Sequence, residues 1–112
     1  IEQNPASIMM TDTEARITYV NPKFESLTGY PRSEVLGQNP RFLSGGNLAP
    51  ESYRAMWQAL AAGETWHGEF LNRTKDGRLF WERASISPIV DAQGRIRQYV
   101  AIKEDITQRK QD

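Results

Sequence analysis

The hydrophobic pattern of this 112-residue chain changes rhythm once, near Thr65. Before that point apolar residues come in short bursts or at helical spacing. "SIMMTD" and "ARITYVN", separated by the polar "TDTEA", predict two strands joined as a hairpin. Asn21 followed by Pro22 predicts a helix N-cap with proline at the first helical position; Phe24 and Leu27 then share a face and Gly29 ends the helix. "PRSEVLG" repeats the device, with Pro31 to start, Val35 and Leu36 to bury and Gly37 to stop. In "PESYRAMWQALAAG" the residues Tyr53, Met56, Trp57 and Leu60 fall on one helical face, which predicts the one long amphipathic helix, closed by Gly63.

From Thr65 the period becomes two. "TWHGEFLNRT", "RLFWERASISPIV" and "RIRQYVAIKEDIT" predict three strands, joined by turns at "KDG" (75–77) and "DAQG" (91–94). The last strands carry apolar groups on both faces: Phe80, Ala84 and Ile86 on one, Leu79 and Trp81 on the other. A small sheet with a second apolar face calls for a cover or a partner.

Composition narrows the chemistry. With 14 basic and 14 acidic residues the net charge is zero, so nothing favours nucleic acid or an anionic membrane surface. No apolar run approaches the roughly 20 residues that span a bilayer, and the first residues lack a signal-peptide pattern, so a soluble, cytoplasmic domain is expected. The absence of cysteine excludes disulfides, thiolate metal sites and a cysteine nucleophile. His67, the single histidine, alternates away from the inner sheet face and has no second ligand at metal spacing, so it reads as a surface residue and no metal site is expected. Glu64, Glu69 and Glu82 have no nucleophile beside a base, and Gly45-Gly46 lacks the lysine of a phosphate loop, so no catalytic residue is assigned.

The motifs "ITYVNPKFESLTGYPRSEVLG", "NRTKDGRLFW", "ISPIVDAQGRI" and "YVAIKEDITQRK", in this order, resemble the PAS sensory domains of the S-box type. The resemblance covers nearly the whole chain. It implies an α+β fold within the α/β class: a five-stranded antiparallel sheet in order 2-1-5-4-3, with helices packed over one face around a pocket. It also implies a domain spanning residues 1–107, with 108–112 beginning a linker toward an effector in the same chain, a histidine kinase or a diguanylate cyclase.

Within the family, "GQNPRFLSGG" resembles the segment of flavin-binding photosensors whose pattern is Gly-Arg-Asn-Cys-Arg-Phe-Leu-Gln. Pro40 stands at the photoreactive cysteine's place, which excludes adduct formation because no thiol is available. Asn39, Arg41 and Asn72 match residues that in those relatives lie near the flavin. Glu82 and Lys103 replace an asparagine and a glutamine, and Ser44 replaces a further glutamine. Period two places Glu82 and Lys103 on the pocket face of neighbouring strands, where burial demands that they pair. "ETWHGEFLNR" also resembles redox sensors that carry FAD without the cysteine; Trp66, Gly68, Phe70 and Asn72 would then give a stacking surface, a gap for a ring and an amide. The resemblance therefore offers FAD as the cofactor, while plain core packing of Trp66 and Phe70 in a ligand-free dimerisation and relay module stays open. At the chain's end, Asp105 and Thr107 resemble the junction through which PAS domains pass a signal from the last strand into a helix. The outer-face residues Leu79, Trp81, Val100 and Ile102 are expected to support a homodimer or a flanking helix.

Overall fold

In a computed structural model of the protein, which describes residues 6–111, strands β1 (Ser7–Thr11), β2 (Ile17–Val20), β3 (Trp66–Arg73), β4 (Leu79–Val90) and β5 (Ile96–Asp105) form one antiparallel sheet in the order β2-β1-β5-β4-β3. Helices α1 (Pro22–Thr28), α2 (Arg32–Val35), a 3-10 turn (Pro40–Leu43) and α3 (Pro50–Ala61) connect β2 to β3, and α4 (Thr107–Gln111) follows the last strand. The expected hairpin, long helix and three-stranded meander are all present, with α4 beginning one residue before the expected linker boundary.

Local chemistry accounts for the elements. Asn21 caps α1, its Oδ1 accepting the Phe24 N–H at 3.0 Å, and Pro22 supplies the helical φ at the first position. The same side chain accepts the Ile8 N–H at 2.9 Å and donates from Nδ2 to the Ala6 carbonyl at 2.9 Å. One asparagine thus starts a helix and clamps the beginning of β1. Gly29, at φ 78°, closes α1 in the left-handed conformation. Packing of the short helices on the sheet buries Met9, Ile17, Val20, Phe24, Val35, Leu43 and Ala101 as one cluster, flanked by the edge-to-face pair Tyr30 and Phe42 at 4.9 Å. Leu36, expected inside beside Val35, is instead 41 % exposed. The helix ends at Val35, and Leu36 belongs to the extended exit that lets Gly37 donate to the Ile17 carbonyl at 2.7 Å.

Three of the strand connections use one turn. In Asp12–Arg16, Thr74–Arg78 and Asp91–Arg95 the first residue's N–H donates to the last residue's carbonyl, its side-chain oxygen accepts the last N–H, and the fourth residue has positive φ: Ala15 64°, Gly77 95°, Gly94 80°. The first two-strand loop does this without glycine. The outer face leaves Leu79 (45 %) and Ile102 (48 %) exposed, while Trp81 is half covered by α4 through the Lys110 ammonium, 4.6 Å from its ring centroid. Lys110 also pairs with Glu69 at 2.7 Å.

Backbone N–H donation by Arg16 chiefly, with the Arg16 side chain and Glu14 N–H adding to it, holds the Asp12 carboxyl below its ordinary value of 3.8; Arg95 N–H chiefly does the same for Asp91, helped by Arg97. A depressed folded-state pKa contributes stability above the unfolded pKa and loses it as pH falls through the folded one. Thermal stability should therefore hold from about pH 7 to about pH 5 and drop below about pH 4. In the double variant Asp12→Ala, Asp91→Ala, melting measured across that range should start lower at neutral pH and show a shallower acid limb.

Candidate functional site

Between the inner sheet face and the helices lies a cavity of about 600 Å³. Its sheet side is formed by Met9, Phe70, Asn72, Ile86, Ala101 and Lys103, and α3 closes it with Met56 and Leu60. The 3-10 turn adds Pro40 and Leu43 to the wall, and Asn39 caps that turn by accepting the Arg41 N–H at 2.9 Å. The proline that replaces a cysteine in the photosensor pattern thus faces the chamber itself.

The cavity is mostly apolar, and one end of its sheet side carries a buried polar cluster. Glu82 (2 % exposed) on β4 and Lys103 (5 %) on β5 form the expected buried pair, Nζ to Oε1 3.7 Å. Asn72 on β3 donates from Nδ2 to the same Oε1 at 2.9 Å. Register explains the trio, because Asn72 lies two residues beyond Phe70, which is opposite Glu82, and Lys103 lies two residues before Asp105, also opposite Glu82. Three adjacent strands each aim one polar side chain at one point. Asn72 and Lys103 line the cavity, whereas Glu82 stands behind them. Lys103's ammonium is too far from Glu82 for a hydrogen bond and rests 5.7 Å from the Phe70 ring centroid. Its β1 neighbour Ser7 is buried with a hydroxyl that has no partner.

The loop after the 3-10 turn holds Asn72 in place in a way the sequence reading missed. Gly45 donates to the Leu71 carbonyl at 2.7 Å, the Leu71 N–H reaches Asn47 Oδ1 at 2.6 Å, and Ser44 bridges to Asn72. A Cβ on Gly45 would lie 2.8 Å from the Leu71 carbonyl oxygen, so only glycine allows this approach. The Gly45-Gly46-Asn47 run, weighed above only as a phosphate loop, was the available signal.

Two expected site residues take other places. The gap expected at Gly68 is filled by the chain itself: a Cβ there would meet the Trp66 indole at 2.1 Å. Trp66 does not line the cavity; it packs against Phe70 at 5.5 Å between centroids, beside the wall on the same face of β3. Arg41 lies at the mouth, exposed, its guanidinium without an ion pair among the described residues. His67 is exposed. At the far end of β5, Thr107 donates from Oγ1 to Asp105 Oδ1 at 2.7 Å and accepts the Trp81 N–H at 2.9 Å, while Ile106 N–H reaches the Trp81 carbonyl at 2.9 Å.

A family model described as PAS domain matches residues 5–108. The chain belongs to the PAS family. This PAS domain is 38 % identical over 107 residues to a nitrogen fixation regulatory protein of Klebsiella pneumoniae, covering 96 % of the chain and 22 % of that protein. It is 41 % identical over 91 residues to a blue-light-activated histidine kinase of Brucella canis, covering 81 % of the chain and 19 % of the kinase. The chain therefore spans about a fifth of the length of these relatives. Among solved structures, the LOV domain of the Erythrobacter litoralis EL346 blue-light activated histidine kinase superposes with a TM-score of 0.82 at 33 % identity, over 93 % of the chain and 98 % of that domain. An RNA-binding light-oxygen-voltage receptor gives 0.86 at 34 % identity, over 97 % of the chain and 31 % of the receptor. The PAS fold and its nearness to flavin photosensors thus agree with the expectation from sequence.

Because Glu82 and Lys103 neutralise one another out of water, removing one leaves a buried charge. Lys103→Met and Glu82→Gln should each lower stability by about 3–5 kcal/mol, read by denaturant unfolding, whereas the exposed pair of Lys75 and Glu34 should contribute about 1 kcal/mol or less.

Proposed function

We propose that this PAS domain is the sensory input of a longer signalling protein and that its cavity holds a flavin, FAD being the cofactor. One observation carries the reading: the cavity wall bears two cations, Lys103 inside and Arg41 at the mouth, and no carboxylate. A chain of zero net charge has placed two of its 14 basic residues, and none of its acids, where a ligand with a polar edge and an anionic tail would lie. The donor set fits a flavin. Asn72, its Nδ2 committed to Glu82, has its carbonyl oxygen left to accept from an imide N–H, and Lys103 has N–H groups left for an adjoining acceptor. The apolar walls and the volume are those of a small-molecule chamber.

On this reading Asn72 and Lys103 hold the ring edge, Phe70 with Met56 and Leu60 of α3 excludes water, Asn39 shapes the 3-10 turn, and Arg41 meets phosphate. Glu82 acts from behind, fixing Asn72 and Lys103, and Trp66 braces Phe70 from beside it. Bound flavin would supply reversible uptake of electrons. A positive Lys103 at the ring edge favours added negative charge there, so the chain is suited to sensing redox state. The signal would leave by β5, through Asp105 and Thr107 into α4 and a linker from about residue 108 to an effector in cis, a histidine kinase or a diguanylate cyclase. Catalysis belongs to that effector rather than to this domain. The exposed Leu79 and Ile102 suit a homodimer through the outer sheet face.

A second reading, a ligand-free relay module, draws on the Glu82–Lys103 pair, which needs no guest to be neutral.

Purified protein carrying FAD should show the visible absorption bands of oxidised flavin. Asn72→Leu should reduce flavin retention roughly tenfold, as expected for about 1–3 kcal/mol lost with a buried hydrogen-bond partner. Colourless protein that takes up no added flavin would favour the relay module.

A further inference from the structure

The cavity mouth carries a feature that holding a flavin ring does not require. Among the described residues six large hydrophobic side chains are exposed, and Trp57 alone of them lines the cavity. Trp57 lies on α3, 38 % exposed, and meets Tyr99 of β5 edge to face, with centroids 5.3 Å apart and an interplanar angle of 83°. Tyr99 lines the cavity as well. This contact fixes the indole on the lip, neither folded into the core with Met56 and Leu60 nor turned away over the helix surface. Arg41, also exposed on this cavity's lining, has its guanidinium unclaimed among the described residues. The exposed part of the lining therefore includes a large aromatic surface and one free planar cation, with no acid on the wall. Those are the two groups that receive an aromatic base and a phosphate tether.

We infer that Trp57 and Tyr99 form an outer subsite for a second aromatic heterocycle, carried on a phosphate-bearing tether from the ring inside the cavity, so that the domain selects a flavin dinucleotide over a mononucleotide. The inference rests on the reading of the cavity as a flavin site. It divides the work between three places. The polar end with Asn72 and Lys103 reads the buried ring and is indifferent to the tail. Arg41 meets phosphate, which both flavin nucleotides possess. Trp57, held by Tyr99, meets only the base that the dinucleotide adds and so sets the preference.

The test is titration of flavin-free protein with FAD and with FMN, followed by quenching of flavin fluorescence, in wild type, Trp57→Ala, Trp57→Phe and Arg41→Ala. Wild type should bind FAD about tenfold more tightly than FMN, the range one stacked base provides. Trp57→Ala should bring FAD down to the FMN affinity and leave FMN unchanged, which also shows that α3 still folds. Trp57→Phe should restore most of the preference, and Arg41→Ala should weaken both ligands. Equal affinities in wild type, or a Trp57→Ala loss of the same size for both flavins, would overturn the subsite while leaving the cavity reading intact. Binding of neither flavin by wild type would overturn both.

Discussion

Two opposite charges are buried together beside an apolar chamber at the centre of this domain, one on its wall and one behind it, and the arrangement of the sheet answers to that constraint. A carboxylate and an ammonium taken from water lose several kcal/mol each, and they recover it only where their approach is held by rigid backbone. Glu82 and Lys103 sit on the two longest strands, hydrogen-bonded neighbours, with Asn72 on the third bringing an amide to the same carboxylate oxygen. A one-residue slip of β4 against β5 would send one of the charges to the outer face. The pair thus contributes specificity of register even though an apolar pair of similar size would be no less stable.

The same trio decides what the cavity can receive. Since Glu82 is screened behind Asn72 and Lys103, the interior sees an amide oxygen and a cation but no anion. The polar end has positive character, to which Arg41 adds on the exposed part of the lining, and on the proposed reading it is the recognition surface. Trp66, Gly45 and Asn47 do not line the cavity; they pack on or bond to the strand that carries Phe70 and Asn72.

Most elements could be read in the sequence because their signals are local. Asn21-Pro22 and Pro50 start helices and Gly29 ends one by conformational preference alone, and strict alternation from Thr65 put Asn72, Glu82 and Lys103 on one face. What escaped was settled by distance in the fold. Leu36 matched the apolar pattern, but α2 ends at Val35 to reach β2. Gly68 promised space, and the fold filled it with the side chain two residues earlier. Trp57 shared a helical face with Tyr53, Met56 and Leu60, yet its position at that face's edge puts it on the cavity lip. Periodicity assigns a side chain to a face; it does not say where the face meets water.

The central claim is that Glu82 and Lys103 are kept together for the guest rather than for the stability of the fold, and one variant separates the two. In the double replacement Glu82→Leu, Lys103→Met no buried charge is left alone, so the melting temperature should equal or exceed that of the wild type while FAD uptake, measured by absorbance after reconstitution, falls by tenfold or more. Undiminished FAD uptake in that variant would contradict the account.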